Sequence, residues 1–548
     1  MPHPAHRQRS LYFDYPRYDF VPPPELAGGP LTHEVAIVGG GPVGLTAALE
    51  LARHGVACVV LDEKATVSEG SRAICIARHS LEIMQQLGLS ERFVAKGLGW
   101  THGTSYYGTR PVYRLEMPHS GHERFYPMYN LQQQYVEKFL IDAAAANPDI
   151  GLRWQSRVTG LKLTDAGASL SIATPRGPYT LSTRYVIAAD GARSIVRREL
   201  GLPLKGDAYE GCYVIADVRM ASSHPTERRA FFDSPGNPGS TVLVHRQPDD
   251  IWRIDYQLQP GESEAEALQE ANVLRRVGVI IDMIGERAAW ELEWWSLYKA
   301  YTLALDDYRY GPVLFAGDAA HLVPIFGVRG LNSGLADAMN AAWKLAYVVR
   351  GWAPQRLLDS YSPERRGATL EVFDLAAKST KFMTPPTRGY RRMRDAALAL
   401  AVHTDLTRPL INPRQSQPYT YAQSPLTGFA RRDREFNAGP AAGASLVNRR
   451  LNDGSFLLDR LALGFSGVYF SSDGALPPAL AGLSQDLSVG DEPFTLIIVS
   501  DAPTFGTYGA VDGTFYLVRP DRHVAARWRH IDLDEVRSAL RQALGGSR

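Results

Sequence analysis

Near the start of the chain, Gly39-Gly40-Gly41-Pro42-Val43-Gly44 has the spacing G-x-G-x-x-G. The short apolar run His33–Val38 precedes it, and a stretch of helical character, Leu45–Arg53, follows. In that setting Gly39 permits a tight turn, Gly41 lets a pyrophosphate approach the backbone, and Gly44 lets helix and strand pack closely. A helix opening at Pro42-Val43 adds unpaired N–H groups and a partial positive charge. The second buried run, Val56–Leu61, ends in Asp62-Glu63; Glu63, nineteen residues past Gly44, can accept hydrogen bonds from a ribose, and Asp62 is the neighbouring candidate. The spacing predicts a β-α-β unit that binds a dinucleotide.

Two more buried runs end in polar motifs. Tyr185–Ala189 stops at Asp190-Gly191-Ala192-Arg193-Ser194, and Val313–Ala316 stops at Gly317-Asp318-Ala319-Ala320-His321, which leads to Gly330-Leu331-Asn332 and Gly334. With these three motifs in this order, the chain resembles the flavoprotein aromatic hydroxylases, the single-component FAD monooxygenases. The likeness covers about residues 33–400 and, less distinctly, the tail.

The resemblance implies FAD as cofactor, with NADH or NADPH as reductant and O2 as co-substrate. It places Gly39, Gly41, Pro42, Val43 and Gly44 at the pyrophosphate, and Glu63 with its neighbour Lys64 on the same nucleotide. Asp318 would hold the ribityl chain, and Gly330, Leu331 and Asn332 would present a helix N-terminus to the pyrimidine end of the flavin. Such a terminus stabilises an anion by roughly 0.3–2 kcal/mol. Asp190 and Gly191 would touch FAD and NAD(P)H, Arg72 would lie beside the flavin, and Gln133 would contact FAD. His321 is expected to be part of its turn rather than a base. The implied reaction is hydroxylation of a phenolic or related aromatic substrate, by oxygen added at flavin C4a and passed on as the distal hydroperoxide atom. Ile325-Phe326 replaces a second proline of many relatives, and Arg329 also departs from them, which bears on substrate shape more than on reaction type.

These motifs need a scaffold, and the pattern changes to supply one. Between about 206 and 304, Tyr209–Met220, Ser240–Arg246 and Ile251–Leu258 read as strands of an antiparallel sheet roofing a mostly apolar pocket. In the last, Trp252, Ile254, Tyr256 and Leu258 share one face while Arg253, Asp255 and Gln257 share the other. Tyr256, His245, Arg246 and Arg253 are the candidate catalytic and substrate residues. An inward arginine would suit a carboxylated substrate.

The fold class is therefore α/β. A Rossmann-like FAD-binding domain (31–205 and 305–345) is interleaved with an antiparallel-sheet substrate domain (206–304, with 101–130 as a further contributor). An N-terminal extension (1–30), a helical segment (346–400), a linker (401–438) and a thioredoxin-like C-terminal domain (439–548) complete the expectation. That last domain contains no cysteine, so thiol–disulfide exchange by it is excluded and its role is structural or interfacial, as in a homodimer.

With 59 Lys+Arg against 58 Asp+Glu, the net charge of +1 gives no general attraction for nucleic acid or anionic membrane. Three cysteines, none in a C-x-x-C pair, exclude a disulfide scaffold and a cysteine-rich metal site. No export signal or apolar run of membrane-spanning length is found, so the cytoplasm is the expected location. A nucleophile elbow, a Walker loop and an H-E-x-x-H helix are missing as well. The competing readings are a flavin dehydrogenase or oxidase, a halogenase (whose W-x-W-x-I-P signature Trp294-Trp295-Ser296-Leu297 does not fit), and a non-catalytic FAD-fold binding protein.

Overall fold

A computed structural model describes residues 10–29, 32–259, 261–324, 327–411, 417–428 and 430–546. The departure at Ile325-Phe326 lies outside the described residues. The first sheet is parallel at its centre, ordered Val313–Phe315, Gly177–Ala188, Thr32–Val38, Cys58–Leu61, Ile150–Arg153. These strands are fully buried along their inner residues, which is why they read as continuous apolar runs rather than as alternation. The helices Pro42–Arg53, Gln133–Ala145 and Gly330–Val349 pack on this sheet and on each other.

The second sheet has eight strands. In order they are His321–Leu322, Trp290–Ala304, Lys205–Met220, Ile251–Gln257, Asn237–Arg246, Arg228–Ser234, His102–Tyr107 and Arg110–Glu116. Two of its strands thus come from residues 102–116, far upstream of the rest. Side chains alternate between the two faces along Ile251–Gln257. Trp252, Ile254 and Tyr256 pack outward with Val273, Val277 and Ile280 of the helix Glu270–Met283. Arg253 and Asp255 point inward, toward the dinucleotide domain.

The tail forms a four-stranded sheet, Thr495–Val499, Ser466–Phe470, Phe515–Val518, Val524–Trp528, flanked by helices in the thioredoxin-like arrangement. It is not an independent unit. Phe465, Phe515 and Trp528 share one hydrophobic core with Trp343 and Tyr347 of the Gly330–Val349 helix. Part of the expected linker joins this contact, since Tyr421 is buried and Ser424 bonds Glu364. The start of the chain also packs: Tyr18 stacks on Trp154 at 4.4 Å, and Ser10 and the Leu11 N–H bond Glu293.

His54, at the end of the Pro42–Arg53 helix, spans the joint by bonding Glu492 of the tail and Glu50. Burial alone would lower its pKa, but the two carboxylates raise it to about 9. A histidine raised from its ordinary value of about 6.5 contributes stability that is full below pH 6.5 and lost as pH rises through 9. Thermal unfolding should therefore show the melting temperature falling between pH 6.5 and 9, on the order of 3 kcal/mol in all. In His54→Gln that fall should be absent; an unchanged pH profile in the variant would refute the assignment.

Candidate cofactor and substrate site

Three strand ends meet at one point. The Gly39 N–H bonds the Leu61 carbonyl, the Ala189 N–H bonds Val38, and the Ala316 N–H bonds Ala188. Gly39 has φ +107°, and a Cβ there would lie 2.3 Å from the Ala189 carbonyl oxygen. Gly317 and Gly334 both approach Val43 so closely that a Cβ would sit 3.0 and 2.7 Å from its methyl carbon. Arg197, from the second motif, donates to the carbonyls of Ala319 (2.9 Å) and Ala192 (2.6 Å), tying the second motif to the third.

Around this junction the fit to a dinucleotide can be tested. A Cβ on Gly41 would meet no atom within 4 Å, although Gly39 and Gly44 are hemmed in by backbone. The loop is thus closed everywhere except where a pyrophosphate would lie. Gly41 is the N-cap of the Pro42–Arg53 helix and no side chain caps that end, so its first N–H groups are available. Asp62 braces the loop through the Gly40 N–H (2.7 Å) and the Lys64 N–H (2.8 Å). That leaves Glu63 exposed at the strand end. Lys64 turns to Ser68 (2.9 Å).

Asp318 is reached by solvent, yet the surrounding protein desolvates it and pushes its carboxyl above the ordinary range, opposed by His321 and Arg72. The carboxyl is thus open to solvent yet crowded by protein atoms, with the exposed Arg72 near enough to act on its charge. Asp190 caps the Val196 N–H with one oxygen, while its buried Oδ1 has no partner. Gly191, at φ +75°, has open space where a Cβ would be. These features fit FAD.

Other predicted site residues are hydrogen-bonded to the protein. Asn332 spends its whole amide on protein: Oδ1 accepts from the Ala77 N–H and Ser80, and Nδ2 donates to Cys75 and Val328. It locks the strand Cys75–Ala77 to the start of the Gly330–Val349 helix, where Gly330 and Leu331 leave the first turn without a side-chain cap. Gln133 accepts from the Ala73 N–H (3.1 Å) and donates to Glu137, fixing the segment that carries Arg72. His321 bonds Asp337 (2.7 Å), which also receives Arg365 and the Gly317 N–H. That network braces the turn.

The sheet separates the four catalytic candidates. Tyr256 and Arg246 fall on the outer face: Arg276 lies over the Tyr256 ring at 5.2 Å, and Arg246 donates to the His224 carbonyl. Neither faces the cleft, because the two-residue period turns them toward the helix side. Arg253 and His245 face inward, but Arg253 is already engaged. It forms a bidentate pair with Asp217 (2.8 Å twice) and donates to the carbonyls of Ser71 and Arg72. Arg253 therefore clamps the Arg72 segment instead of reading a substrate carboxylate. Arg253→Met would leave Asp217 buried without a counter-charge. A loss of about 3–5 kcal/mol in denaturant unfolding is expected, together with weaker FAD retention.

Sequence reasoning passed over two inward groups. Arg228, on the strand beside His245, is buried, and no described residue accepts a hydrogen bond from its guanidinium. Asp255 is buried and its Oδ1 has no partner. Burial pushes its carboxyl up to about 7; Arg253 and Arg228 pull it down while Asp217 repels it. His245, its Nδ1 unpartnered, is driven down to about 3 by burial and by the two arginines, so it is neutral. The alternation that put Asp255 beside Arg253 was the available signal for the carboxyl. Arg228 lay outside every strand drawn from the sequence. Ala230, Leu243 and Ile215 lie on the same face and make it apolar around these groups.

Among the described residues no group of His, Cys, Asp and Glu could hold a metal ion, and no helix is long and apolar enough to cross a membrane.

Comparison with known proteins agrees with this geometry. A 3-(3-hydroxy-phenyl)propionate/3-hydroxycinnamic acid hydroxylase of Klebsiella pneumoniae is 30% identical over 369 residues, which span 66% of this chain and 65% of that protein. A rifampicin monooxygenase of Streptomyces venezuelae is 31% identical over 66% of this chain and 74% of its own length. Among solved structures, p-nitrophenol 4-monooxygenase from Pseudomonas putida superposes with a TM-score of 0.60 at 26% identity, covering 69% of this chain and 97% of that one. The flavin-dependent monooxygenase PieE shares the fold over 95% of this chain and all of its own, with a TM-score of 0.76 at 23% identity. The family model described as "FAD binding domain" matches residues 32–376, the stretch that holds all three converging motifs, and the chain belongs to that family.

Proposed function

We propose that this protein is an FAD-dependent monooxygenase that uses NADH or NADPH and O2 to hydroxylate a phenolic or related aromatic substrate. The observation that carries the reading is the junction of the three motifs, linked through the Arg72 segment to an inward sheet face that holds unpartnered polar groups. The substrates named for the hydroxyphenylpropionate and p-nitrophenol relatives support an aromatic molecule. When bound, FAD supplies the transfer of reducing equivalents from the nicotinamide and the activation of dioxygen.

The chain's part is to bind, orient and exclude water. The Pro42–Arg53 helix end and Gly41 receive the pyrophosphate, Glu63 the ribose, and Asp318 and Asp190 the linkage toward the ring. Arg253, Gln133 and Asn332 hold the segments that carry those groups. Ala230, Leu243 and Ile215 keep water from the reacting region, where it would divert activated oxygen into peroxide. The reading places the reaction in the cytoplasm, where the reduced nicotinamide is found.

The test is a screen of hydroxybenzoates, hydroxyphenylpropionates, chlorophenols and hydroxypyridines against FAD-loaded protein. NADH or NADPH loss, oxygen uptake and peroxide should be followed together. At least one compound should accelerate nicotinamide oxidation with little peroxide, and isotopically labelled O2 should place one labelled atom in the product. Label-free product would favour a dehydrogenase or oxidase, and protein that never takes up FAD would favour a binding module.

A further inference from the structure

We infer that Asp255 and Arg228 form the polar end of the substrate site: Asp255 takes the proton of the substrate's phenolic hydroxyl, and Arg228 holds the phenolate that results. The inference rests on the proposed aromatic hydroxylation and names the two residues that would ready the ring for it.

On the inner sheet face Arg253, Arg228, Asp217 and Asp255 are all buried. Arg253 and Asp217 neutralise each other through two hydrogen bonds of 2.8 Å. The remaining pair, Arg228 and Asp255, feel each other's charge yet form neither a hydrogen bond nor an ion pair. Both are more than nine-tenths buried. An unpaired buried charge is costly, and folds keep such groups chiefly where a ligand completes them. A cationic fork that lacks an acceptor and a carboxyl that lacks a donor are both satisfied by one group that accepts and donates at once. A phenolic hydroxyl is such a group.

The charge count is unchanged by the step. The substrate O–H bond breaks, an O–H bond forms on the Asp255 carboxylate, and the negative charge moves to the phenolate oxygen against Arg228. The other groups around Asp255 are Arg253, Asp217, Tyr213, Cys75 and His245. Arg253 is committed to Asp217, and burial keeps Tyr213 and Cys75 protonated, with the Cys75 thiol pushed up to about 12. His245 is neutral. None of these competes for the proton.

The experiment uses FAD-loaded full-length protein and 4-nitrophenol, whose visible colour reports its ionisation. Titrated slightly below the pH at which half of it ionises in water, 4-nitrophenol should become more phenolate-like on the wild-type protein. Arg228→Met should bind it as the neutral phenol and at least tenfold more weakly, with Arg228→Lys intermediate, whereas Asp255→Asn, whose amide stands in for the protonated carboxyl, should keep the bound phenolate. In turnover, Asp255→Asn should lose more than 100-fold in kcat on weakly acidic phenols and recover on strongly acidic ones, because those arrive already ionised. FAD content and melting temperature of each variant report on folding. Bound 4-nitrophenol that stays yellow in Arg228→Met, or a loss in Asp255→Asn shared equally by all phenols, would overturn the inference. If the wild-type protein shifts the colour but hydroxylates no phenol, the proposed reaction fails while this site stands.

Discussion

A Glu364→Ala protein is expected to lose about 3–5 kcal/mol of stability and to expose its C-terminal domain to proteolysis, as measured by denaturant unfolding and limited digestion. Glu364 is fully buried on the helix Tyr361–Met383. Its carboxylate accepts from Lys344 (2.6 Å), Arg519 (2.6 and 2.9 Å) and Asn340 (2.7 Å). Arg519 belongs to the tail and also pairs with Asp521 (2.6 Å). Two cations and two anions thus meet without water at the joint between domains. Removing one anion leaves a net positive charge inside the protein. Burial already lowers the Lys344 pKa to about 8 with Glu364 raising it; without that carboxylate, Lys344 should shed its proton near neutral pH. The double variant Glu364→Leu with Lys344→Met, which leaves the Arg519–Asp521 pair balanced, should recover much of the lost stability. A double variant no better than the single one would show that charge imbalance is not the cause.

The second large effect separates two glycines that lie two residues apart. Gly41→Val should leave the melting temperature of FAD-free protein unchanged, since its φ of −81° suits any residue and no atom lies within 4 Å of a Cβ. The added methyl groups would fill the pyrophosphate's space, so FAD affinity should fall on the order of 100-fold, about 2.7 kcal/mol. Gly39→Ala should damage both properties. Its φ of +107° costs about 1–3 kcal/mol for a residue with a side chain, and its Cβ would meet the Ala189 carbonyl. Absorbance of retained flavin and calorimetric melting decide the matter. An FAD-free Gly41→Val protein that melts far below wild type would mean the loop is packed, not open.

The two glycines also show how far the sequence reaches. Local chemistry is legible in it: the G-x-G-x-x-G turn, the strand ends at Asp190 and Asp318, and the β-α-β unit follow from short-range rules of φ, helix ends and apolar runs. Residues 102–116 were less transparent. They join the second sheet across more than a hundred residues of chain, and such pairing is fixed by packing that no local pattern encodes.

What the sequence determined by itself was the nucleotide fold and the face alternation of Ile251–Gln257, because both depend on neighbours in the chain. Which of those faces turns toward the dinucleotide domain was decided only in three dimensions, and it put Tyr256 and Arg246 on the opposite face. Tertiary structure alone also paired Arg253 with Asp217, left Arg228 and Asp255 unmatched, and buried the Glu364 cluster at the joint. The reason is electrostatic. A charged side chain looks the same in a sequence whether water, a counter-charge or nothing surrounds it, and only the packed fold sets which of the three it meets.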